Sequence, residues 1–331
     1  MLRIDYNQTD YTKVLQTFAD VMNARVKDDT LVIPQEIGNG YFKTITLSNG
    51  LQCLVSDYTL NTDLYLQRNS SNNEFYILRF DEVSISDTLM VKIDDDYIWE
   101  TKQDRASVLL NSSLSDFATS ASEGTVVRSI NILLTREWLT QYLNIESLDD
   151  ILKKYLPLKT RSYNFAPFDI EYRMWFNEVM GYTDSAMKNS IIENRIMLMM
   201  EKFLNSLYQH FHQLSETDII KIPNDEVKRL MEVESYLVKD FSIPPPPLTF
   251  LSRVAAMSTT TLKNKFKKLY GINVYEYFQK SRMQKAKALL LSRKYSIKEI
   301  GSQLGYSNLS NFATAFKKEF NRLPSQLVLH K

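Results

Sequence analysis

The sequence has few of the residues on which catalytic and metal sites most often depend. Among its 331 residues there is one cysteine, Cys53, and there are three histidines, His210, His212 and His330. A single cysteine excludes an intrachain disulfide and favours a reducing compartment. Side chains two positions apart point in different directions on a helix, so His210 and His212 are poorly placed to share a metal ion. With so few bases, a histidine-ligated metal enzyme and a Ser-His-Asp hydrolase are both disfavoured.

Glycine and long apolar runs are scarce as well. The eight glycines do not form the GxxxxGK[ST] loop that cradles nucleotide phosphates. The longest purely apolar helix-like run, residues 196–200, is far shorter than the roughly 20 residues that span a bilayer, and the N-terminus lacks the apolar core of a signal peptide. We therefore expect a cytoplasmic protein that is not an enzyme, with no catalytic residues, metal, cofactor or membrane partner.

Charge is unevenly distributed along the chain. Residues 225–331 contain 19 Lys and Arg against 8 Asp and Glu, a net +11, while the rest of the chain, with 21 against 31, has a net −10. A basic segment attracts the phosphate backbone of nucleic acids because each neutralised phosphate releases counterions. The length predicts two or three domains, and the charge places the basic one at the C-terminal end.

Strand-like runs dominate residues 41–134, after a preamble at residues 1–40 with one helical stretch near 11–24. The runs are rich in β-branched and aromatic residues and are separated by Asn, Asp, Ser and Gly, a pattern typical of an all-β barrel or sandwich. Asn49 and Gly50 tolerate positive φ and predict a hairpin turn. We predict a small, cupin-like β-barrel sensor domain at residues 41–134, with strands YFKTITL, LQCLVSDY, TDLYLQR, EFYILRF, TLMVKI, SVLLNSS and VVRSINILL.

Helical periodicity begins at residue 135, with amphipathic pieces at 135–143, 147–156 and 168–182 and a longer one at 184–214. The long piece carries apolar residues at helical spacing, at Ile191, Met199 or Met200, Phe203, Leu207 and Phe211. This stripe either packs on helices of the same domain or pairs with the same helix of a second chain, so residues 135–214 are predicted as a helical dimerisation segment. A polar linker at 215–224 separates it from the C-terminal domain, residues 225–331.

Residues 248–327 contain two copies of one helical unit. Each copy has a short helix that ends at a small residue, a turn, and a serine placed to cap the helix that follows. The second helix buries an apolar pair four residues apart and leaves its opposite face free, as in a helix-turn-helix. The small residues, serines and apolar pairs are Ala256, Ser258, Leu262 and Phe266 in the first copy and Gly305, Ser307, Phe312 and Phe316 in the second.

Between the copies, residues 274–291 form a continuous helical pattern. At 1.5 Å per residue this spacer is about 27 Å long, close to the roughly 34 Å turn of B-DNA once flanking turns are added. A rigid spacer of this length places the second helix of each copy in successive major grooves. The sequence thus predicts an α+β protein with an N-terminal β-barrel, a helical segment, and an all-α domain of two helix-turn-helix units joined by a linker helix.

This composite pattern resembles the DNA-binding domain of the arabinose-regulator (AraC/XylS) family. It reads SxxxLxxxFKKxxGxxxxxYxxxxRMxxAxxLL and then SIKEIGxxLGYSNxSxFxxAFKKEFxxxPSQ, and it covers residues 248–327 only. The resemblance implies a sequence-specific transcription regulator that binds duplex DNA as a homodimer and, where it acts as an activator, also contacts RNA polymerase.

Transferring the family's roles by position assigns two kinds of DNA contact. Side chains early in each second helix are expected at base edges, and serines and paired lysines at phosphates. Thr314 replaces an arginine common in relatives, which weakens readout by the second copy, and Asn321 replaces a helix-ending glycine. The expected base contacts are Thr260, Lys263, Asn264, Leu309, Ser310, Asn311 and Thr314, and the expected phosphate contacts are Ser258, Lys267, Lys268, Ser307, Lys317 and Lys318.

The N-terminal part is similar to siderophore-responsive members of the pyochelin-regulator kind, through the run IGNGYFKTITLSNGLQCLVSDYTL. That resemblance implies a small-molecule effector, such as a ferric siderophore, bound to the barrel. Tyr65, Tyr76 and Trp99 are the candidate pocket residues, with plain core packing as the alternative for each.

Two other functions stay open. A regulator with the same DNA-binding domain can be controlled by a protein partner or by its abundance alone, without a ligand. A DNA-repair alkyl-acceptor protein can also carry such a domain, but it needs an activated cysteine. Cys53 lies in the strand-like run LQCLVSD, where a buried and inert thiol is expected.

Overall fold

A computed structural model describes residues 1–73, 75–102, 104–143, 164–181, 188–212 and 224–328. The chain divides into two compact units, the first comprising Met1–Phe168 and Asn189–Ile220 and the second Asp169–Lys188 and Lys221–Lys331. The predicted α+β organisation, with a β-rich N-terminal part and a helical C-terminal part, is confirmed. No helix within the described ranges is long and apolar enough to cross a membrane.

The first unit contains two β-sheets. Its strands are β1 (Leu2–Asn7), β2 (Val26–Lys27), β3 (Thr30–Val32), β4 (Gly38–Thr46), β5 (Gln52–Leu60), β6 (Leu64–Asn69), β7 (Phe75–Ser84), β8 (Leu89–Ile93), β9 (Asp96–Thr101), β10 (Arg105–Ser112), β11 (Phe117–Ala121), β12 (Val126–Thr135) and β13 (Asn164–Pro167). The five-stranded sheet has the order β1-β6-β11-β8-β9, and the eight-stranded sheet has the order β13-β10-β7-β12-β5-β4-β3-β2.

All seven predicted strand runs are strands, namely β4 to β8, β10 and β12. The turn between β4 and β5 is also found, with Gly50 at φ 81° and its amide donating to the carbonyl of Leu47. The described strands do not form the single closed barrel that the sequence predicts, because their backbone hydrogen bonds join neighbours within two separate sheets. The sequence did not predict the remaining strands, some of which are short, such as β2 with two residues.

The two sheets share one interior, which side-chain alternation defines. On β7, Ile77, Arg79 and Asp81 point between the sheets, while the buried Leu78 and Phe80 point to the opposite face. Successive side chains of a strand point to opposite faces, so a period of two decides which residues meet between the sheets. The buried cluster there draws on both sheets and is mostly apolar.

Residues 1–40 belong to the core of the first unit rather than to a separate preamble. They include β1 and a helix, α1 (Tyr11–Val21), which begins after Asp10, whose carboxylate accepts a hydrogen bond from the amide of Lys13 at 2.9 Å. The ring of Phe18 lies edge-on to the rings of Tyr6 and Phe42, with centroids 5.2 and 5.3 Å away. A single amphipathic helix carries no sequence signal of the surface it packs on, which is why the prediction set this segment apart.

The next helices along the chain are α2 (Arg136–Leu143), α3 (Ile170–Gly181) and α4 (Lys188–His212). Helix α4 lies in the first unit, where the carboxylate of Glu193 accepts a hydrogen bond from the hydroxyl of Ser48. Along α4 the chain itself buries Ile196, Met199, Met200 and Phe203, which leaves no exposed stripe at these positions for a second chain. The predicted helix at 147–156 and the side chains of Leu207 and Phe211 lie outside the described residues.

The second unit is helical. Its helices after α4 are α5 (Asn224–Val238), α6 (Leu248–Val254), α7 (Thr259–Tyr270), α8 (Val274–Ser292), α9 (Ile297–Gln303), α10 (Leu309–Phe320) and α11 (Pro324–Val328). Helix α3 also packs here, since Arg173 donates to the buried carboxylate of Glu234 at 2.8 Å and Glu234 accepts from the hydroxyl of Tyr277 at 2.8 Å. The unit therefore extends beyond the predicted residues 225–331, because α3 contributes this buried ion pair.

Replacing Phe18 with alanine should destabilise the first unit by about 3–5 kcal/mol, because it removes a buried ring from the interior between the sheets. Val21 lies on the same helix and is 44% exposed, against 2% for Phe18. Val21→Ala is thus the matched control and should change the free energy of unfolding by less than about 0.5 kcal/mol. Urea denaturation followed by circular dichroism measures both variants. Equal, small effects would show that α1 is not part of the core.

Candidate nucleic-acid interface

The first helix-turn-helix consists of α6 and α7. After α6 the chain turns through Ala256, whose φ of 49° is left-handed. Ser258 then caps α7, because its hydroxyl accepts a hydrogen bond from the amide three residues on at 3.1 Å. The predicted apolar pair, Leu262 and Phe266, is fully buried and seats α7 on the core. The helix ends at Gly271, with a φ of 78° that glycine adopts without strain.

The second helix-turn-helix consists of α9 and α10. Helix α9 begins with a capping box, in which the side chains of Ser296 and Glu299 each accept a hydrogen bond from the other's backbone amide. The turn passes through Gly305, at φ 74°. Helix α10 is capped by Asn308, whose side-chain oxygen accepts from the amide two residues on at 2.7 Å. Ser307 is not the cap that the sequence predicts, because this turn is one residue longer than the first.

Helices α7 and α10, called the reading helices below, match in construction. Each has 12 residues and a polar side chain at its N-cap. Asn321 ends α10 with a φ of 55°, in the role that Gly271 has for α7, so asparagine adopts the left-handed conformation that the sequence predicts for it. Their equal lengths and similar caps mean that the two helices offer comparable surfaces.

Helix α8 joins the two helix-turn-helix units by packing into both of their cores. Val274 and Tyr277 lie in the core of the first, and Met283 and Leu290 lie in the core of the second. Its 19 residues correspond to about 28 Å of helix. The guanidinium of Arg282 lies over the ring of Tyr306, 4.4 Å from its centroid, and adds a contact between α8 and the second helix-turn-helix. One continuous helix thus fixes the spacing of the reading helices.

One face of each reading helix is exposed. On α7 the exposed side chains recur at three- and four-residue steps, opposite the buried apolar pair. The structure therefore gathers the predicted DNA-contact residues into one group on each reading helix. All of them are exposed, namely Ser258, Thr260, Lys263, Asn264, Lys267 and Lys268 at the first, and Ser307, Leu309, Ser310, Asn311, Thr314, Lys317 and Lys318 at the second.

Some of the polar groups on these faces already have partners. The hydroxyl of Ser258 is the cap of α7 and lies 2.8 Å from the hydroxyl of Thr261. The hydroxyl of Thr314 donates to the carbonyl of Ser310 at 2.8 Å, so its proton is engaged within α10. Lys265 pairs with Glu226 on the inner side of α7. The hydroxyls of Ser258 and Thr314 are thus engaged within their own helix-turn-helix units.

The helices that carry these faces are strongly basic. Residues 248–328 contain 15 Lys and Arg against 3 Asp and Glu. Lysine pairs lie in the last turn of both reading helices, at Lys267 and Lys268 and at Lys317 and Lys318. Cations near a helix C-terminus are stabilised by the helix dipole. Two exposed, basic helix faces on one rigid support suit a long anionic partner.

The first unit contains a separate candidate site, a cavity of about 80 Å³ between its sheets. The predicted pocket residues Tyr65 and Tyr76 do not line it. Leu64 and Leu66 of β6 point inward, so Tyr65 between them points outward, where it borders a second pocket together with Gln67, Lys92 and Asp116. The buried Tyr76 lies on the outer face of β7 with Leu78. The side chain of Trp99 lies outside the described residues.

The residues that do line the cavity include several that sequence reasoning missed. Among them are the charged Arg79, Asp81 and Arg105 and the aromatic Phe18 and Phe117. The signal that was available is the period of two on β7, which places Arg79 and Asp81 in the same row as the apolar Ile77 and Val83. Charged residues in an otherwise apolar inward row mark a possible binding site.

Comparison with known proteins agrees with the construction of the second unit. Residues 251–329 match the family described as "Helix-turn-helix domain". The virulence regulon transcriptional activator VirF of Yersinia enterocolitica is 32% identical over 109 residues, which are 33% of this chain and 38% of that protein. The xylose operon regulatory protein of Escherichia coli is 31% identical over 70 residues, 21% of this chain and 18% of that one. This part of the chain is an AraC-type helix-turn-helix domain.

Two further similarities involve a protein much longer than this chain and a solved domain much shorter than it. Histidine kinase P4 of Formosa agariphila is 32% identical over 139 residues, 41% of this chain but 10% of the kinase. The solved C-terminal domain of the two-component response regulator yesN from Fusobacterium nucleatum is 31% identical and covers 32% of this chain and 98% of that one, with a TM-score of 0.27. The chain thus spans 10% of the histidine kinase and 38% of the virulence activator.

Gly305→Ala should destabilise the AraC-type domain by more than about 2 kcal/mol, because an added methyl meets a steric clash in addition to the backbone strain of a left-handed residue. A Cβ at Gly305 would lie 2.4 Å from the carbonyl oxygen of Ser242, and φ there is 74°. Gly271, at φ 78° with open space around it, is the matched control. Gly271→Ala should show the backbone strain alone, about 1–2 kcal/mol. If thermal unfolding finds Gly305→Ala no more destabilising than Gly271→Ala, the close approach to Ser242 is not a constraint.

Proposed function

We propose that this protein is a sequence-specific DNA-binding regulator of transcription that places its two reading helices in neighbouring major grooves of duplex DNA. The observation that carries this proposal is the pair of capped, equally long helices with exposed polar and basic faces, held apart by α8. The second helix of a helix-turn-helix enters the major groove with its N-terminal turns at the base edges. The linker, at about 28 Å, suits grooves that repeat every 34 Å or so.

Within this proposal the two groups of side chains have different roles. Lys263 and Asn264 lie in the N-terminal half of α7 and can offer donors to guanine and adenine edges. The lysine pairs at the C-terminal ends of the reading helices hold phosphates, which position the protein without reading sequence. The hydroxyl of Thr314 donates to a carbonyl of its own helix and therefore has no proton to offer to a base. For this reason the first helix-turn-helix supplies most of the sequence discrimination.

Lys263→Ala and Lys267→Ala should separate the two roles in the full chain. Loss of Lys263 should relax preference at one or two operator positions, whereas loss of Lys267 should weaken all duplexes alike and reduce the slope of log K against log salt by about 1. Operator selection from random duplexes, followed by binding titrations at several salt concentrations, measures both.

Lys13 of the first unit, whose side chain is 74% exposed, is the charge-matched control, and Lys13→Ala should leave binding unchanged. Identical behaviour of the Lys263 and Lys267 variants would contradict the division into base and phosphate contacts. No salt-sensitive binding by the unmodified chain to any duplex would contradict the proposed function itself.

We further propose that the first unit is a sensor domain for a small molecule. Its cavity lies between two sheets, as expected for a cupin-like domain, and combines charged and aromatic side chains. The volume of this cavity, about 80 Å³, suits a compound much smaller than a ferric siderophore. Ligand occupancy then controls DNA binding by the homodimer. The Yersinia relative is named as an activator, which favours activation through RNA polymerase over repression.

The cavity and the burial of Cys53 disfavour the two alternative functions. Control by a protein partner needs no internal cavity, so the cavity of the first unit favours a ligand. Alkyl transfer to Cys53 needs an accessible thiolate. Cys53 is fully buried, and this burial raises the pKa of its thiol far above the ordinary value.

Cys53 should therefore resist alkylation in the folded protein. Iodoacetamide at pH 8 is expected to modify it only after denaturation, because the thiolate is the reacting form and burial disfavours it. Mass spectrometry of native and urea-treated samples gives the extent of labelling. Rapid labelling of the native protein, or transfer of a methyl group from alkylated DNA to Cys53, would instead support the repair function.

A further inference from the structure

Helix α3 belongs to the second unit but is joined on both sides to segments of the first. The strand before it, β13, pairs with β10 in the eight-stranded sheet, and the helix after it, α4, lies in the first unit from Asn189 onwards. The chain thus enters the second unit after Phe168 and returns to the first after Lys188. A rearrangement of the first unit at β13 or α4 therefore reaches α3 through the chain itself.

Two contacts hold α3 in the second unit. Ile170, in its first turn, packs against the apolar core beneath α7. Arg173 donates from Nη2 to Oε1 of Glu234, on α5, at 2.8 Å, and the two side chains are 14% and 4% exposed. Breaking an ion pair at such burial is costly, because a charge stays buried after its partner has gone. Loss of this pair therefore disturbs the helices around Glu234.

The same carboxylate oxygen connects α3 to the first reading helix. The hydroxyl of Tyr277, on α8, donates to Glu234 Oε1 at 2.8 Å. The buried ring of Tyr277 lies edge-on to the rings of Phe266 and Tyr270, with centroids 5.5 and 5.0 Å away. Both of those rings are on the inner side of α7, where they stack at 4.4 Å. A continuous series of contacts thus runs from Arg173 through Glu234 and Tyr277 to α7.

The second reading helix has no such connection among the described residues. The apolar core beneath α10 draws on α8 to α11 and on Phe241, and it includes no residue of α3. Coupling between distant parts of a protein is carried by packed side chains, hydrogen-bond networks and rigid helices. By this criterion α3 acts on α7 and not on α10.

We propose that α3 is a control helix, through which the first unit regulates DNA binding by the first helix-turn-helix. In the docked state, the Arg173–Glu234 pair fixes Tyr277 and so holds α7 at the angle at which its first turns reach base edges. When the first unit draws α3 away from α5, that angle is no longer fixed, and α10 alone reads the operator. Arg173 is thus a positioning residue. This inference rests on the proposed function and names the route of its regulation.

Arg173→Gln in the full chain tests this role, because glutamine stays polar but removes the charge that pairs with Glu234. Duplex binding should weaken roughly tenfold. The loss of preference should fall on the operator positions that α7 contacts, assigned with Lys263→Ala, and spare those that α10 contacts, assigned with Asn311→Ala. Operator selection from random duplexes and binding titrations measure both effects. Arg173→Lys should restore most of the preference, and a uniform loss or no loss in Arg173→Gln would overturn the proposal.

Lys280 is the matched control for the lost charge. It lies on α8, three residues after Tyr277, and pairs with Glu276 at 3.5 Å, but its side chain is 37% exposed. Lys280→Gln should leave the operator preference unchanged. In a Glu234→Gln background, Arg173→Gln should have no further effect on preference, because the pair is already lost. An equal effect in both backgrounds would show that Arg173 does not act through Glu234, contrary to the proposal.

Hydrogen exchange of the α3 amides in the absence of DNA, read by mass spectrometry, reports docking directly. Exchange should be faster in Arg173→Gln than in the unmodified chain or in Lys280→Gln. Unchanged exchange would show that the ion pair does not hold α3. If Arg173→Gln does not fold, the same measurement on Arg173→Lys decides, since a weaker pair should give intermediate exchange.

Phe168→Ala tests the connection to the first unit. Phe168 is buried two residues before Ile170, and its ring packs against that of Phe80 on β7, with centroids 6.4 Å apart. Phe168→Ala should speed exchange in α3 and relax preference at the α7 positions. Phe75→Ala removes another buried ring from β7 and should do neither. If the two variants behave alike, the first unit does not act through α3.

Duplex binding by the same preparations separates this inference from the proposed function. Salt-sensitive binding together with unchanged preference in Arg173→Gln overturns the control helix and leaves the regulator intact. Absence of binding by the unmodified chain to any duplex overturns the regulator, and this inference with it.

Discussion

The packing of one continuous helix, α8, into two separate cores is the constraint on which the proposed DNA-binding surface depends. Its first turns complete the core under α7, and its later turns complete the core under α10. Each reading helix is seated by a fully buried apolar pair, so its rotation about its own axis is fixed by packing. In the proposed function, the exposed side chains can therefore be exchanged to recognise a different DNA sequence while the packing that positions both helices stays the same.

A buried polar cluster reinforces that frame. Glu234 of α5 accepts hydrogen bonds from Arg173 of α3 and Tyr277 of α8, and so links three helices. Burial, and next the charge of Glu234, raises the pKa of Tyr277 well above its ordinary value. The phenol therefore keeps its proton throughout the physiological range and remains a donor to the carboxylate. Removing one partner of such a cluster leaves a buried charge without compensation.

The periodicity of apolar residues in the sequence correctly predicted the strands and helices whose residue pattern repeats along the chain. The alternation in β4 to β8 and the two copies of the helix-turn-helix located most strands and both reading helices. It failed where a feature depends on a neighbour from elsewhere in the chain. Residues 1–40 fill a core that only tertiary contacts reveal. Asn308, and not Ser307, caps α10 because that turn has one more residue than the first. Tyr76 lies on the outer face of its strand, away from the cavity between the sheets. The aromatic content of the strands does not predict the charged cavity, because the direction of each side chain on its strand decides which residues line it.

The segment between α5 and α6 has a consequence for how the second unit unfolds on heating. Phe241 packs against both cores, and the carbonyl of its neighbour Ser242 lies where a side chain on Gly305 would be. With α8 also common to both cores, neither helix-turn-helix has a boundary along which it could come apart from the other. The AraC-type domain should therefore lose its structure in one cooperative transition, so that both helix-turn-helix units are folded or unfolded together.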